Sequence, residues 1–252
     1  MRPKDCPVTK EDISKGLRIM GLGPGDCVGV HSSLSSFGYV EGGADTVIDA
    51  LLEVVGPTGT IVMPAYSTNR EDVPHTEEDR RLGVTWKFKV LPFDPAREPV
   101  WTGRIPDTFW RRQEAVRGTH PTHSLAAIGP RAGELCRGWD RLLDADGYIL
   151  LLGVGLGCCS SMHLAERGIE LPERILRKIT PPCELRERYR EENIHFGYGP
   201  YPAFERMEGP CRQRGIMKEA TIGKAKVKLV RLRELIGLYA HHLRTDPEQF
   251  YT

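Results

Sequence analysis

His163 and Glu166 stand three apart in Ser160-Ser161-Met162-His163-Leu164-Ala165-Glu166. On a helix that spacing sets both side chains on one face. A carboxylate there fixes the imidazole tautomer and stabilises the imidazolium, which is what a general base working near neutral pH needs. The two serines are residues that cap helix starts. Alone, such a pair is usually an ordinary surface contact. This one follows the apolar run Tyr148 to Val154, which reads as a buried strand, and ligands of α/β sheets bind beyond the carboxyl ends of strands.

Thr119-His120-Pro121-Thr122-His123-Ser124 brings two more imidazoles and three hydroxyls to the entrance of another apparent strand. Either histidine could equally be structural. His31-Ser32-Ser33-Leu34-Ser35-Ser36-Phe37-Gly38 follows a short apolar run and offers hydroxyls and small residues ahead of a helix. Such a segment can present backbone N–H groups to a phosphate, although a plain serine-rich turn has the same composition. Arg18-Ile19-Met20-Gly21-Leu22-Gly23 carries an R-x-x-G-x-G pattern, but its glycines close a helix instead of opening one. Gly153-Val154-Gly155-Leu156-Gly157 is followed by Cys158 where a dinucleotide fingerprint needs its third glycine. Cys158 and Cys159 precede the Ser160 segment, where a helix dipole could lower a thiol pKa, so a cysteine-dependent hydrolase is one alternative.

These residues need a frame. Thr9 with Asp12 resembles a capping box for a helix over residues 10–20. Cys27 to His31 and Thr60 to Met63 read as strands, with a helix from Thr46 to Val55 between them. Further strands are expected at Ser124 to Ile128 and Tyr148 to Val154, then a helix from Met162 to Arg167. Strands around Gly223 and a helix through Leu232, Leu235, Ile236 and Tyr239 close the chain. Residues 67–100, with Pro74, Pro92, Pro95 and Pro99 and many acids, read as a long irregular excursion. The alternation predicts one α/β domain over 1–252, with a mostly parallel or mixed central sheet flanked by helices.

Composition narrows the partners. The 252 residues are 40% hydrophobic, enough for a sizeable core. Thirty-five Lys and Arg against 34 Asp and Glu leave a formal charge of +1, so no global field draws in nucleic acid or an anionic membrane. Seven cysteines, none in a paired C-x-x-C, suit reduced thiols and suggest no metal site. The polar N-terminus has no signal-peptide character and no apolar run spans a bilayer, so a cytoplasmic location is expected.

The stretches VGVHSSLSSFGYVEGGADTVIDALLEVVGPTGTIVMPAYS, FDPAREPVWTGRIPDTFWR, GTHPTHSLAAIGPRA, GYILLLGVG with SSMHLAE, and EATIGKAKVKLVRLREL resemble, in this order, the aminoglycoside 3-N-acetyltransferase family. The resemblance implies acetyl-CoA as cosubstrate and an aminoglycoside-like amine as acceptor, and is compatible with a homodimer. It implies catalytic roles for His163, Glu166 and His120, through the family's H-L-A-E and H-P-x-x-S motifs. It lays His31, Ser32, Ser33, Leu34, Ser35, Ser36 and Phe37 along CoA, together with Thr119 and Ser124, and sets Tyr66, Asp72 and Asp144 beside the acceptor. Two departures stand out: Gly118 replaces the usual serine before the x-H-P, and the acceptor-side segment is shortened to residues 135–144. The first leaves one CoA-side hydroxyl missing or supplied by Thr119; the second predicts a reshaped acceptor pocket, so the same chemistry on another amine metabolite is a second alternative.

Overall fold

The structure, a computed structural model, describes residues 6–66, 69–94, 97–99 and 102–251. Seven strands make the main sheet: β1 (Cys27–Ser32), β2 (Thr60–Pro64), β5 (Val116–Arg117), β6 (Leu125–Ile128), β7 (Tyr148–Leu152), β9 (Met217–Ile222) and β10 (Ala225–Arg231). Their order is β5-β6-β2-β1-β7-β10-β9. β1 runs parallel to β2 and β7, and the remaining neighbours are antiparallel, so the sheet is mixed. Burial on both faces explains the unbroken apolar run of β7. Leu150 and Leu152 enter one core while Ile149 and Leu151 enter the other, as strand alternation requires.

Helices α1 (Lys10–Ile19), α2 (Gly43–Val55) and α4 (Arg104–Trp110) serve the first core; α5 (Ala132–Leu135), α6 (Trp139–Asp144), α9 (Glu208–Gln213) and α10 (Leu232–Thr245) serve the second. The α1 capping box forms: the Asp12 amide donates to Thr9 Oγ1 at 3.3 Å and the Thr9 amide to Asp12 Oδ2 at 3.0 Å. Met20 ends the helix and Gly21 turns away at φ +96°, the helix-closing role expected of those glycines.

The stretch after residue 69 corrects the expectation of an irregular excursion. It forms β3 (Arg70–Asp72), α3 (Glu77–Leu82) and β4 (Val84–Val90), and β4 pairs with β8 (Ile194–Tyr198) in a second, three-stranded antiparallel sheet. Residues 67–68, 95–96 and 100 lie outside the described residues. β4 finds its partner roughly a hundred residues later, which local periodicity cannot show. With α7 (Glu173–Ile179) and α8 (Cys183–Glu191) nearby, one face of this sheet builds a small core of Val84, Leu185, Tyr189 and Ile194. Beside it Lys87 Nζ meets Asp79 at 2.5 Å with both side chains almost fully buried, and the Tyr189 hydroxyl also donates to Asp79. No helix among the described residues is long and apolar enough to cross a membrane.

Candidate active site

The carboxyl ends of β1, β2 and β7 lie side by side because the three strands are parallel. Ser32, Tyr66 and Gly153 follow from those ends. Antiparallel β6 contributes its start to the same edge, so Ser124 arrives beside Ala65 and its hydroxyl donates to the Ala65 carbonyl. One oxygen ties the edge together: Ser160 Oγ pairs with the Tyr66 hydroxyl and accepts from Trp139 Nε1 at 3.1 Å. Burial raises the Tyr66 phenol above its usual pKa, although the Ser160 and Trp139 contacts oppose this, so the hydroxyl is protonated and able to donate.

His163 and Glu166 lie on the turn that begins at this oxygen. The helix expected from Met162 to Arg167 is a 3₁₀ helix over Ser160–Glu166, and Ser160 caps nothing because its hydroxyl is engaged by Tyr66 and Trp139. The pair survives the change, since residues three apart eclipse in a 3₁₀ helix. His163 Nδ1 lies 3.0 Å from Glu166 Oε2, and the ring packs edge-on against Phe204 at 4.8 Å. Tyr239, 3.5 Å from Glu166 Oε1, holds the carboxylate from behind. Half of the His163 side chain remains exposed.

His120 Nδ1 accepts from the amides of Thr122 and His123 at 3.2 and 2.9 Å, stapling the turn that presents His123. His123 sits 5.4 Å from the Tyr66 ring. Burial pushes its pKa down, and the nearby imidazoles of His120, His163 and His195 push it the same way.

The Ser-rich segment divides. Ser33 and Ser35 hydroxyls lie 3.2 Å apart at the surface, and Ser36 donates to the Gly153 carbonyl at 2.9 Å. Gly153 has φ +72°, and a Cβ there would lie 2.3 Å from that of Ser36, so only glycine lets the two segments meet. Ser32 Oγ is buried without a partner. His31 corrects the CoA-contact expectation: it is buried with its ring 5.4 Å from Trp139, Nε2 has no partner, and burial pushes its pKa down to about 4. Alternation along β1 puts it on the face of Gly29, under α6. Phe37 is likewise a core residue and Leu34 packs partly against that core, so neither side chain offers a free contact.

Tyr66 and Asp72 come together on a cleft of about 300 Å³ with Arg70, Trp86, Phe88, Thr122 and His123. Asp144 does not join them. It ends α6 just before β7 begins, at the opposite end of the strands, where Arg141 faces it at 3.7 Å. Cys159 is buried, its thiol pushed up to about 12 by burial, which removes it as a nucleophile. Trp139, Trp86 and Phe88 carry no motif and escape a sequence reading; aromatic residues beside the chemistry-bearing segments are the only signal.

The family model described as aminoglycoside 3-N-acetyltransferase matches residues 30–244. Aminoglycoside N(3)-acetyltransferase VII of Streptomyces paromomycinus is 30% identical, covering 94% of this chain and 91% of its own length. Aminoglycoside N(3)-acetyltransferase III of Salmonella sp is 34% identical, covering 97% and 89%. Among solved structures, a histidine-to-alanine variant of aminoglycoside acetyltransferase AAC(3)-IVa in complex with a gentamicin superposes with a TM-score of 0.76 at 26% identity, over 98% of this chain and 92% of that one. AAC(3)-Xa gives 0.74 at 28% identity, over 96% of both. The long ordered match and the mixed sheet agree, and the chain belongs to the aminoglycoside 3-N-acetyltransferase family, an acyltransferase family.

Proposed function

We propose that this protein acetylates the 3-amino group of an aminoglycoside by direct transfer, with acetyl-CoA as cosubstrate and His163 as general base. The observation that carries the reading is the 3.0 Å His163–Glu166 contact beside the edge where Tyr66, His123 and the Ser33–Ser36 segment converge. With its Nδ1–H donated to Glu166, a neutral His163 keeps the Nε2 lone pair for a proton. An ammonium cannot attack a thioester until it loses one, and Glu166 then offsets the imidazolium charge. Acetyl-CoA supplies an activated acyl carbon when bound. The residues present fit it: Ser33 and Ser35 offer exposed hydroxyls, Ser32 keeps an unpartnered one, and Gly153 lets Ser36 close against β7. Thr119 is exposed beside His120 and offers a further hydroxyl. Tyr66 and Asp72 hold the acceptor, and His120 positions His123 without needing to touch substrate.

The test is His163→Ala. Positioned general-base catalysis is worth about 10² to 10⁴ in rate, so turnover with a responsive aminoglycoside falls by that factor while calorimetric affinity for CoA holds. Undiminished turnover would remove His163 from the mechanism. A second reading, the same transfer to a less cationic amine, is favoured by the cleft itself, where Arg70 lies 3.6 Å from the lining carboxylate of Asp72. An amine panel scored by free-thiol release separates the two.

A further inference from the structure

The small sheet turns its second face toward the active site, and that face is organised. Directly opposed residues of antiparallel strands share a face. Asp72 is opposite Phe88, Phe88 opposite His195, and Trp86 opposite Gly197. Trp86 and Phe88 stack at 5.0 Å with ring planes 12° apart, His195 continues the row at 6.1 Å and 24°, and the Arg70 guanidinium carbon lies 5.0 Å from the Phe88 ring.

Trp86 is held in place although 39% exposed. Its Nε1 donates to the Tyr201 hydroxyl, and a Cβ on residue 197 would fall 2.4 Å from that nitrogen, so glycine is what admits the indole. The small apolar core that stabilises this sheet lies elsewhere, around Tyr189 and Leu185. A fixed, exposed indole lining a cleft of about 300 Å³, with Tyr66 and His123 across from it, is placed for recognition. That volume, at the lower end of the range of ligand sites, suits a single ring.

We propose that Trp86, backed by Phe88, is a specificity-determining subsite that stacks on a sugar ring of the acceptor other than the ring being acetylated, with Asp72 receiving an ammonium of that ring. The negative face of an indole attracts both the C–H bonds of a saturated ring and a nearby cation. Arg70 caps the Phe88 end of the row, which biases the subsite toward the less cationic ring of a multi-ring acceptor. The inference rests on the acceptor reading above and adds which residues choose among acceptors.

The experiment compares wild type, Trp86→Ala and Trp86→Phe, each loaded with CoA, by calorimetric titration with a multi-ring aminoglycoside and with the isolated aminocyclitol ring. Turnover is measured in parallel. Trp86→Ala is expected to weaken the multi-ring ligand about tenfold, as a rise in KM with kcat within twofold, and to leave the isolated ring and the acetyl-CoA KM unaffected. Trp86→Phe restores most of the loss and confirms that the sheet folds. Equal affinities in all three proteins, an equal loss for the isolated ring, or a wild type that binds no multi-ring aminoglycoside overturns the subsite. Trp86-dependent binding without acetyl transfer by the wild type strikes the acetylation reading and leaves the subsite standing.

Discussion

His31 gives the fold a measurable sensitivity to acid. Its ring is enclosed under Trp139 at the end of β1, Nε2 has no partner, and burial pushes its pKa down to about 4. In the unfolded chain the same imidazole protonates near 6.5. Above pH 6.5 it is neutral in both states and contributes nothing to the pH dependence. Between 6.5 and 4 the unfolded chain takes up a proton that the fold resists, so native stability drops as pH falls. At about 1.4 kcal/mol per pH unit, the gap amounts to about 3 kcal/mol by pH 4, a sizeable share of a stability of about 5–15 kcal/mol. The assay is urea unfolding of wild type and His31→Gln at half-unit steps from pH 7 to 4. His123 and His242 also have lowered values, but both proteins contain them and the difference cancels their contribution. The wild-type curve should fall more steeply by about 3 kcal/mol over that window. Parallel curves would refute the reasoning, as would a wild-type His31 ring resonance that titrates near 6.5 in the folded protein, a reading independent of how well the variant folds.

Tyr66→Phe removes the hydroxyl that pairs with Ser160 while keeping the ring beside His123. One hydrogen bond of about 1 kcal/mol predicts roughly a fivefold loss of kcat/KM for the acceptor with the acetyl-CoA KM unchanged. Asp79→Asn leaves Lys87 buried opposite a neutral amide; burial raises the Asp79 carboxyl, but the Lys87 and Tyr189 contacts outweigh it and hold the group ionised. Removing one partner of such a pair costs about 3 kcal/mol, to be seen as faster amide hydrogen exchange in β3, β4 and β8 while β1, β2 and β7 keep their protection.

Much of this frame can be read from residue types. Apolar runs such as Tyr148-Ile149-Leu150-Leu151-Leu152 have no alternation because both faces are covered, and Thr9 with Asp12 gives the helix start outright. The His163–Glu166 contact follows from a spacing of three, which two kinds of helix satisfy. Other readings fail where type and facing part company. His31 and Phe37 sit in a polar, serine-rich segment yet point into the core, and counting alternation from Gly29 turns His31 inward. The segment around Asp144 suggests the acceptor side, whereas α6 carries that residue to the far end of the strands. The small sheet is hidden because β4 pairs with β8 across an interval of roughly a hundred residues that holds three strands of the main sheet, and no local pattern encodes a partner so distant.

That second sheet has its own small core and its own buried ion pair, separate from the strands that carry Tyr66 and the His163 turn. The Trp86 subsite and the His163 base are thereby mounted on different supports. Drift in β3, β4 or β8 can alter which amines are welcomed while the transfer apparatus stays intact, so such a lineage can shift its spectrum of targets without passing through an inactive ancestor.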